Sequence, residues 1–268
     1  MPIAGREFVQ ALTLPLRQAM AAVVWLEGRV ANTPKADEST AAKAALSDGD
    51  CVSQEILVTA LAEYYPGVVL DAEEDTPSAK AFEANDSPYT VRIDPIDGSL
   101  RYLQQDGLYA IIIGLEREGR VEAALVSVPQ EDVIVRAVRG GGADISYAGR
   151  PFSAAGTVAG GSRLLVSYGL PEPADERLRA VGHHLVIAAG GAIGVAPLLT
   201  GTHGAVRLTP EAKGLSPRAW VASLPVLEAG GVVEGVGAPL PDRYEHGVPG
   251  MIVAANSADA EALRRCIS

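Results

Sequence analysis

Apolar residues recur every three to four positions from Leu12 through Leu16, Met20, Val23 and Leu26 to Val30, which places them on one face of a helix with Pro15 in its first turn. Val52, Ile56, Ala60 and Leu61 repeat the stripe in a second helix, closed by the Pro66-Gly67 turn signal. The texture changes at Val68. Short β-branched runs follow, VVLDA, YTVRID, YAIIIGLE, VEAALVSV and DVIVRAV, parted by glycine, proline or charged turns, and their spacing predicts an antiparallel meander. After Ser162 the order alternates: strand RLLVSY, a helix from about Asp175 to Ala189, strand AVRLT, a helix from about Pro217 to Ala229, strands GVVEG and GMIVAA, and a closing helix from Ser257. The pattern predicts a layered α/β chain, with an α+β half over residues 1–155 and an α/β half over 156–268. Their junction is expected near Phe152 to Gly161, in FSAAGTVAGG.

Composition narrows the classes. The chain has 268 residues, 48% hydrophobic and 21% charged, enough to bury a core and too apolar for disorder. A net charge of −11 repels polyphosphate and argues against a nucleic-acid polymer as partner. Two distant cysteines, Cys51 and Cys266, lack metal-ligand spacing and suit a reducing cytoplasm. MPIAGREFVQ does not read as a secretory signal. The longest apolar stretch, from Leu185 through AAGGAIGVAPLL, is broken by three glycines and Pro197, so a buried segment is expected and no membrane association.

Candidate chemistry concentrates between Asp71 and Tyr102. In Asp94-Pro95-Ile96-Asp97-Gly98-Ser99, two carboxylates follow a strand and flank a turn that Pro95 stiffens. Such a turn can offer Asp94, Asp97 and the Ile96 carbonyl to a hard cation such as Mg²⁺, while the N–H groups opening at Gly98 and Ser99 favour an anion. The same residues are also ordinary turn formers. A second acidic run, Asp71-Ala72-Glu73-Glu74-Asp75, also follows a short strand and is either a solvated loop or a neighbour of the first. Asp48 or Asp50, ahead of the second helix, reads as a helix cap.

Together these segments resemble the inositol monophosphatase family, within the Mg²⁺-dependent, lithium-sensitive phosphatase superfamily. VRIDPIDGSLRYL is similar to the family's DPxDGT signature, LDAEED to its GEES segment with Ala72 at the glycine, and SDGDCVSQEILVTAL to the segment carrying an upstream aspartate. The later segments RGGGADISYAGRPF, VLEAGGVV and MIVAAN keep the family's order. The resemblance implies a layered αβαβα sugar-phosphatase architecture, a homodimer, and hydrolysis of a small phosphate monoester by a metal-activated water, with Mg²⁺ or Mn²⁺ as cofactor. It further implies Glu73, Asp94, the Ile96 carbonyl and Asp97 as metal ligands, and Asp50 with Ser99 as the pair that activates the water; Ser99 stands where the family has threonine. A helix N-cap is the plain alternative for Ser99.

The departure comes later in the chain. Family members carry a Trp-Asp pair ahead of the EAGG segment, whose aspartate binds a second metal; counting back from Glu228 puts Pro217-Arg218 there. No Asp or Glu lies between Lys213 and Leu227 to replace it. Arg218 is then either a drifted surface residue or a guanidinium that stands in for a metal's charge and grips phosphate. Glu211 corresponds to a family glutamate that contacts a substrate hydroxyl, with a plain surface glutamate as the alternative. Arg101 and Tyr102 replace the usual Asn-Phe; the resemblance puts Lys35 in the mobile loop that covers the site in relatives, with a lysine in solvent as the plainer expectation; and His183 and His184 are expected on a helix with no catalytic role.

Overall fold

The computed structural model describes residues 3–36, 41–83, 86–157, 160–208, 214–244 and 247–268. Three helices open the chain: α1 (Gly5–Leu26), the single turn α2 (Ala41–Ala44) and α3 (Asp48–Tyr64). Helix α1 begins earlier than the apolar stripe suggested and carries Pro15 in its interior. Phe8 and Val9 extend the buried face by about one more turn, and packing of that face outweighs the lost hydrogen bond at the proline. The helix stops at Leu26, short of Val30, ahead of Gly28 at φ +70°. Among the described residues α1 is the one helix long and apolar enough to cross a membrane, and its buried face packs into the core.

The first sheet runs in chain order: β1 (Val69–Ala72), β2 (Tyr89–Asp97), β3 (Ala110–Arg117), β4 (Arg120–Val128), β5 (Val133–Val138), β6 (Gly142–Tyr147) and β7 (Ser153–Ala154). From β2 onward it is the expected antiparallel meander. Strand β1 departs from it, pairing parallel to β2 with Val69 opposite Thr90 and Ala72 opposite Ile93. A crossover through the 3-10 turn Pro77–Phe82 makes that possible. The consequence is functional, because parallel pairing brings the chain after Ala72 and the chain after Ile93 to the same sheet edge. An antiparallel β1 would have carried Glu73 to the opposite end from Asp94.

The helix α4 (Ser99–Gln104) follows β2. Beyond the meander come β8 (Arg163–Val166), α5 (Glu172–Ala180), β9 (His184–Ile187), α6 (Gly190–Gly194), β10 (Thr202–Leu208), α7 (Pro217–Glu228), β11 (Val232–Gly235), β12 (Gly250–Ala254) and α8 (Ser257–Ile267). The strands form a second sheet in the order β11-β12-β10-β8-β9. The helix expected from Asp175 to Ala189 ends at Ala180. Gly182 at φ +95° turns the chain, and Leu185, Val186 and Ile187 pair with β8 as an edge strand that carries His184.

Five layers result. Helices α1 and α3 cover one face of the first sheet through Phe8, Leu12, Leu57 and Leu61 against Ile111 and Ile113. Ile112 points the other way, into a layer of α6 and α7 that also packs on Leu165 and Val253 of the second sheet. The YAIIIGLE run is apolar throughout because β3 is buried on both faces. Leu178 of α5 and Leu263 of α8 close the outer face of the second sheet over Leu164, Val206 and Ile252. The layered αβαβα arrangement expected of the chain is what the structure shows.

Candidate active site

Strand β2 breaks register with β3 between Asp94, opposite Ile112, and Asp97, opposite Ala110, so that Pro95 and Ile96 bulge from the ladder between the two aspartates. Gly98 then sits at φ +98°, and a Cβ there would come 2.6 Å from the Cβ of Ala189, so both backbone and packing demand glycine. Ser53 of α3 fixes the turn by donating to the Pro95 carbonyl at 2.9 Å.

Ser99 begins α4, yet its side chain does not cap that helix. Its Oγ lies 2.8 Å from Asp50 Oδ1 and 3.1 Å from the Ile96 carbonyl. Asp50 sits in the first turn of α3, where its other oxygen, Oδ2, accepts the N–H and the O–H of Ser47, each at 2.8 Å. Ser47 holds the cap position and Asp50 answers it from the third helical residue. The pair expected to activate water is thus assembled and buried, with Asp50 1% and Ser99 6% exposed. Burial pushes the Asp50 carboxyl above its ordinary value, against the opposing pull of the Ser47 and Ser99 hydrogen bonds.

The acidic loop after β1 is also built rather than loose. Gln54 of α3 donates to the Glu74 carbonyl at 2.5 Å and to Thr76 Oγ1 at 2.9 Å, and its own carbonyl oxygen accepts the Glu74 N–H at 2.9 Å. Lys35 is not in solvent as expected: its Nζ stands 3.2 Å from Glu73 Oε1 and 2.6 Å from Glu74 Oε1. Burial alone would lower the Lys35 ammonium, but the two glutamates outweigh it and hold its pKa above the ordinary lysine value.

Asp94 is 4% exposed, and its Oδ1 is a buried acceptor with no hydrogen-bond partner. Burial first, then the charges of Glu73 and Asp97, push its carboxyl well above the usual range while Arg218 works against them. Asp97 is raised too, by burial, although Arg207 and the Gly191 N–H donated to its Oδ2 oppose the shift.

Arg218 enters from the first turn of α7. Its Nε lies 3.4 Å from Asp94 Oδ2 and its Nη2 3.9 Å from Asp71 Oδ1. The guanidinium therefore points into the carboxylates and not away from the protein, although its helix position sets it against the dipole. Burial would lower its pKa, and Asp94, Glu73, Asp71 and Asp97 together more than reverse that. Ser216 takes the N-cap backbone conformation ahead of Pro217, as expected, without a capping bond from its side chain.

Several participants escaped the sequence reading. Asp71, already in the acidic run, bridges Arg218 to the unforeseen Arg92, whose Nε reaches the buried Glu116 Oε1 at 2.6 Å. The polar Arg92 and Asp94, two apart in an otherwise apolar strand, were the available signal, since they share a face. Arg207 is the second omission. Arg101 turns to Asp106 and Gln104, at 2.7 and 2.8 Å, and Tyr102 donates to the Val23 carbonyl at 3.0 Å, so both serve the frame beside the site. Glu211 lies outside the described residues.

Among the described residues no three His, Cys, Asp or Glu side chains converge into a finished metal cage. The donors nevertheless fit one hard cation. Glu73, Asp94 and the Ile96 carbonyl are all oxygen ligands, and the orphaned Asp94 Oδ1 is the kind of atom a cation satisfies. Around Asp97 the fit is poor: one oxygen is taken by Gly191, and Arg218 brings its own positive charge.

A model of the inositol monophosphatase family matches residues 10–169, more than half of the chain. The inositol-1-monophosphatase of Mesorhizobium japonicum is 33% identical over 98 residues, 37% of this chain and 35% of that protein. The Nus factor SuhB of Pasteurella multocida is 30% identical over 97 residues, 36% of this chain and 35% of its own length. The alignments thus span about a third of these relatives. The crystal structure of the extragenic suppressor protein suhB from Bartonella henselae superposes with a TM-score of 0.73 at 18% identity, covering 98% of each chain, which shows a shared fold. With the family model spanning both acidic motifs and the whole meander, the chain belongs to the inositol monophosphatase family.

Proposed function

We propose that the chain hydrolyses a small phosphate monoester of the inositol, sugar, amino-alcohol or nucleotide class, with one Mg²⁺, or Mn²⁺, held by Glu73, Asp94 and the Ile96 carbonyl. The observation that carries this reading is the buried Asp50–Ser99 hydrogen bond beside an Asp94 oxygen without a partner. Bound there, the cation would supply Lewis acidity toward the phosphoryl oxygens. The remaining work falls to the chain. Ser99 donates its hydroxyl hydrogen bond to Asp50 and so turns an oxygen lone pair toward an attacking water, whose proton Ser99 would accept as its own passes to Asp50. Asp50 is locked by Ser47, and its raised pKa makes it a better proton acceptor than an exposed aspartate. Arg218, anchored on Asp94, has guanidinium N–H groups free to donate to phosphate oxygens.

A phosphate-release screen across those four substrate classes, with Mg²⁺ or Mn²⁺, tests the reading; turnover of at least one is expected. A second reading, a weak or inactive phosphate-binding relative that serves as a binding or regulatory subunit, draws support from the cations already seated on the carboxylates. Phosphate binding without turnover on any substrate selects it. The two cysteines stand free, in keeping with a proposed cytoplasmic site of action. The proposed homodimer is checked by light scattering.

A further inference from the structure

No sequence motif singles out Arg207, yet it is the second guanidinium at this edge of the fold. On β10, Ala205 faces the central helical layer and Val206 the outer one, so Arg207 faces the central layer where α6 begins. A Cβ added to Gly190 would collide with Arg207 Nη1 and stand 3.4 Å from Asp97 Oδ2, so Arg207 and Asp97 flank the same glycine. Arg207 is half-buried, and among the described residues it donates no hydrogen bond. Arg218, on the other side, also has a buried Nε without a hydrogen-bond acceptor, its approach to Asp94 at 3.4 Å being electrostatic only.

Two guanidiniums with unspent donors thus bracket the Asp94–Asp97 turn. Their two positive charges face Asp94 and Asp97, while Lys35 is shared between Glu73 and Glu74. A divalent ion added at Asp97 would meet like charge on both sides, whereas a phosphate dianion would find donors on both.

We propose that Arg207 and Arg218 form a paired guanidinium grip for the substrate's phosphate, so that the chain takes a single divalent cation and binds phosphate with none present. The proposal rests on the reading of this edge as a phosphate site, but its test is separate from turnover. Calorimetry in EDTA with inorganic phosphate should show binding to the wild type. Arg207→Gln and Arg218→Gln should each weaken that binding about tenfold, the scale of one charge-assisted hydrogen bond, with melting curves to confirm folding. Mn²⁺ titration of the wild type needs no variant and should give one tight site per chain; Arg218→Asp should give two. Two tight Mn²⁺ in the wild type, or phosphate affinity unchanged in Arg207→Gln, would overturn the grip. Turnover accompanied by two bound Mn²⁺ removes the grip and leaves the phosphatase reading standing; metal-free phosphate binding without turnover does the reverse.

Discussion

The two halves of the chain furnish the site in different ways. From the N-terminal half come carboxylates and a hydroxyl fixed by short hydrogen bonds, 2.8 Å from Ser99 to Asp50 and 2.8 Å from Ser47 to Asp50, on a turn tied down by Ser53. From the C-terminal half come guanidiniums, of which Arg218 approaches Asp94 at 3.4 Å and Asp71 at 3.9 Å, held by charge rather than by directed bonds. Where the resemblance leads one to expect a carboxylate, this chain has Arg218. Under the proposed function the rigid half would orient a reacting group and the looser half would receive a charged one, since a long side chain held by Coulomb attraction can change partners at little cost.

That contrast breaks most visibly at Asp94. Asp94→Asn removes the central charge of the rigid half, and phosphate release should fall about 10³-fold, with Mg²⁺ uptake lost in calorimetry. The same change should leave the metal-free protein folded, because the buried carboxylate is already strained toward its neutral form.

Ser99 sharpens the comparison next. Ser99→Ala should lower kcat about 10²-fold with KM little altered, since the hydroxyl orients a proton transfer and does not hold substrate. Ser99→Thr should retain activity, because the hydroxyl bond to Asp50 survives and the added methyl restricts its rotamers. Loss of KM with kcat preserved would reassign Ser99 to binding.

The pH dependence of stability follows from the rigid half alone. Asp50, Asp94 and Asp97 have folded pKa values raised above their unfolded ones, so the folded chain holds protons that the unfolded chain releases. Without metal, stability should therefore increase as pH falls from neutral through their raised values, and the gain should level off near about 4, the unfolded carboxylate range. Thermal melts in EDTA against pH would show this as a melting temperature that climbs on mild acidification. Saturating Mg²⁺ should raise the neutral-pH melting temperature and flatten the profile.

The smallest expected effect belongs to Lys35. Its ammonium occupies Glu73 and Glu74, so Lys35→Gln should tighten Mg²⁺ binding a few-fold by removing an internal competitor. A looser metal in that variant would show that Lys35 positions the glutamates instead of blocking them.

Much of this was legible in the sequence, and the exceptions share a cause. The DPIDGS turn and the helix begun by Pro217 were readable because local chain geometry fixes them, and the Asp50–Ser99 pair was readable only through the family resemblance, since 49 residues separate its members. The parallel pairing of β1 was not, since strand direction depends on a crossover that hydrophobic alternation does not encode. The early helix after Asp175 was overextended because Leu185, Val186 and Ile187 suit a helix or a short strand equally, and a glycine at positive φ decided it. Lys35 looked like a surface cation and Arg207 drew no notice because their partners lie on other elements, Arg207 beside Asp97 and Lys35 on Glu73 and Glu74.

Arg218 reaches Asp94 across roughly 120 residues of chain, whereas Ser99 and Asp50 are only 49 apart. During synthesis at about 5–20 residues per second, the acidic turn is therefore exposed to the cell for several seconds before the helix bearing its guanidinium leaves the ribosome. In that interval Lys35 and Arg92 are already made, but Asp94 and Asp97 lack Arg218 and Arg207, and ambient Mg²⁺ is an ion at hand to neutralise them. The metal would then act as a temporary folding aid, and scarcity of Mg²⁺ during translation would lower the yield of native chain even though the finished protein stays folded without it.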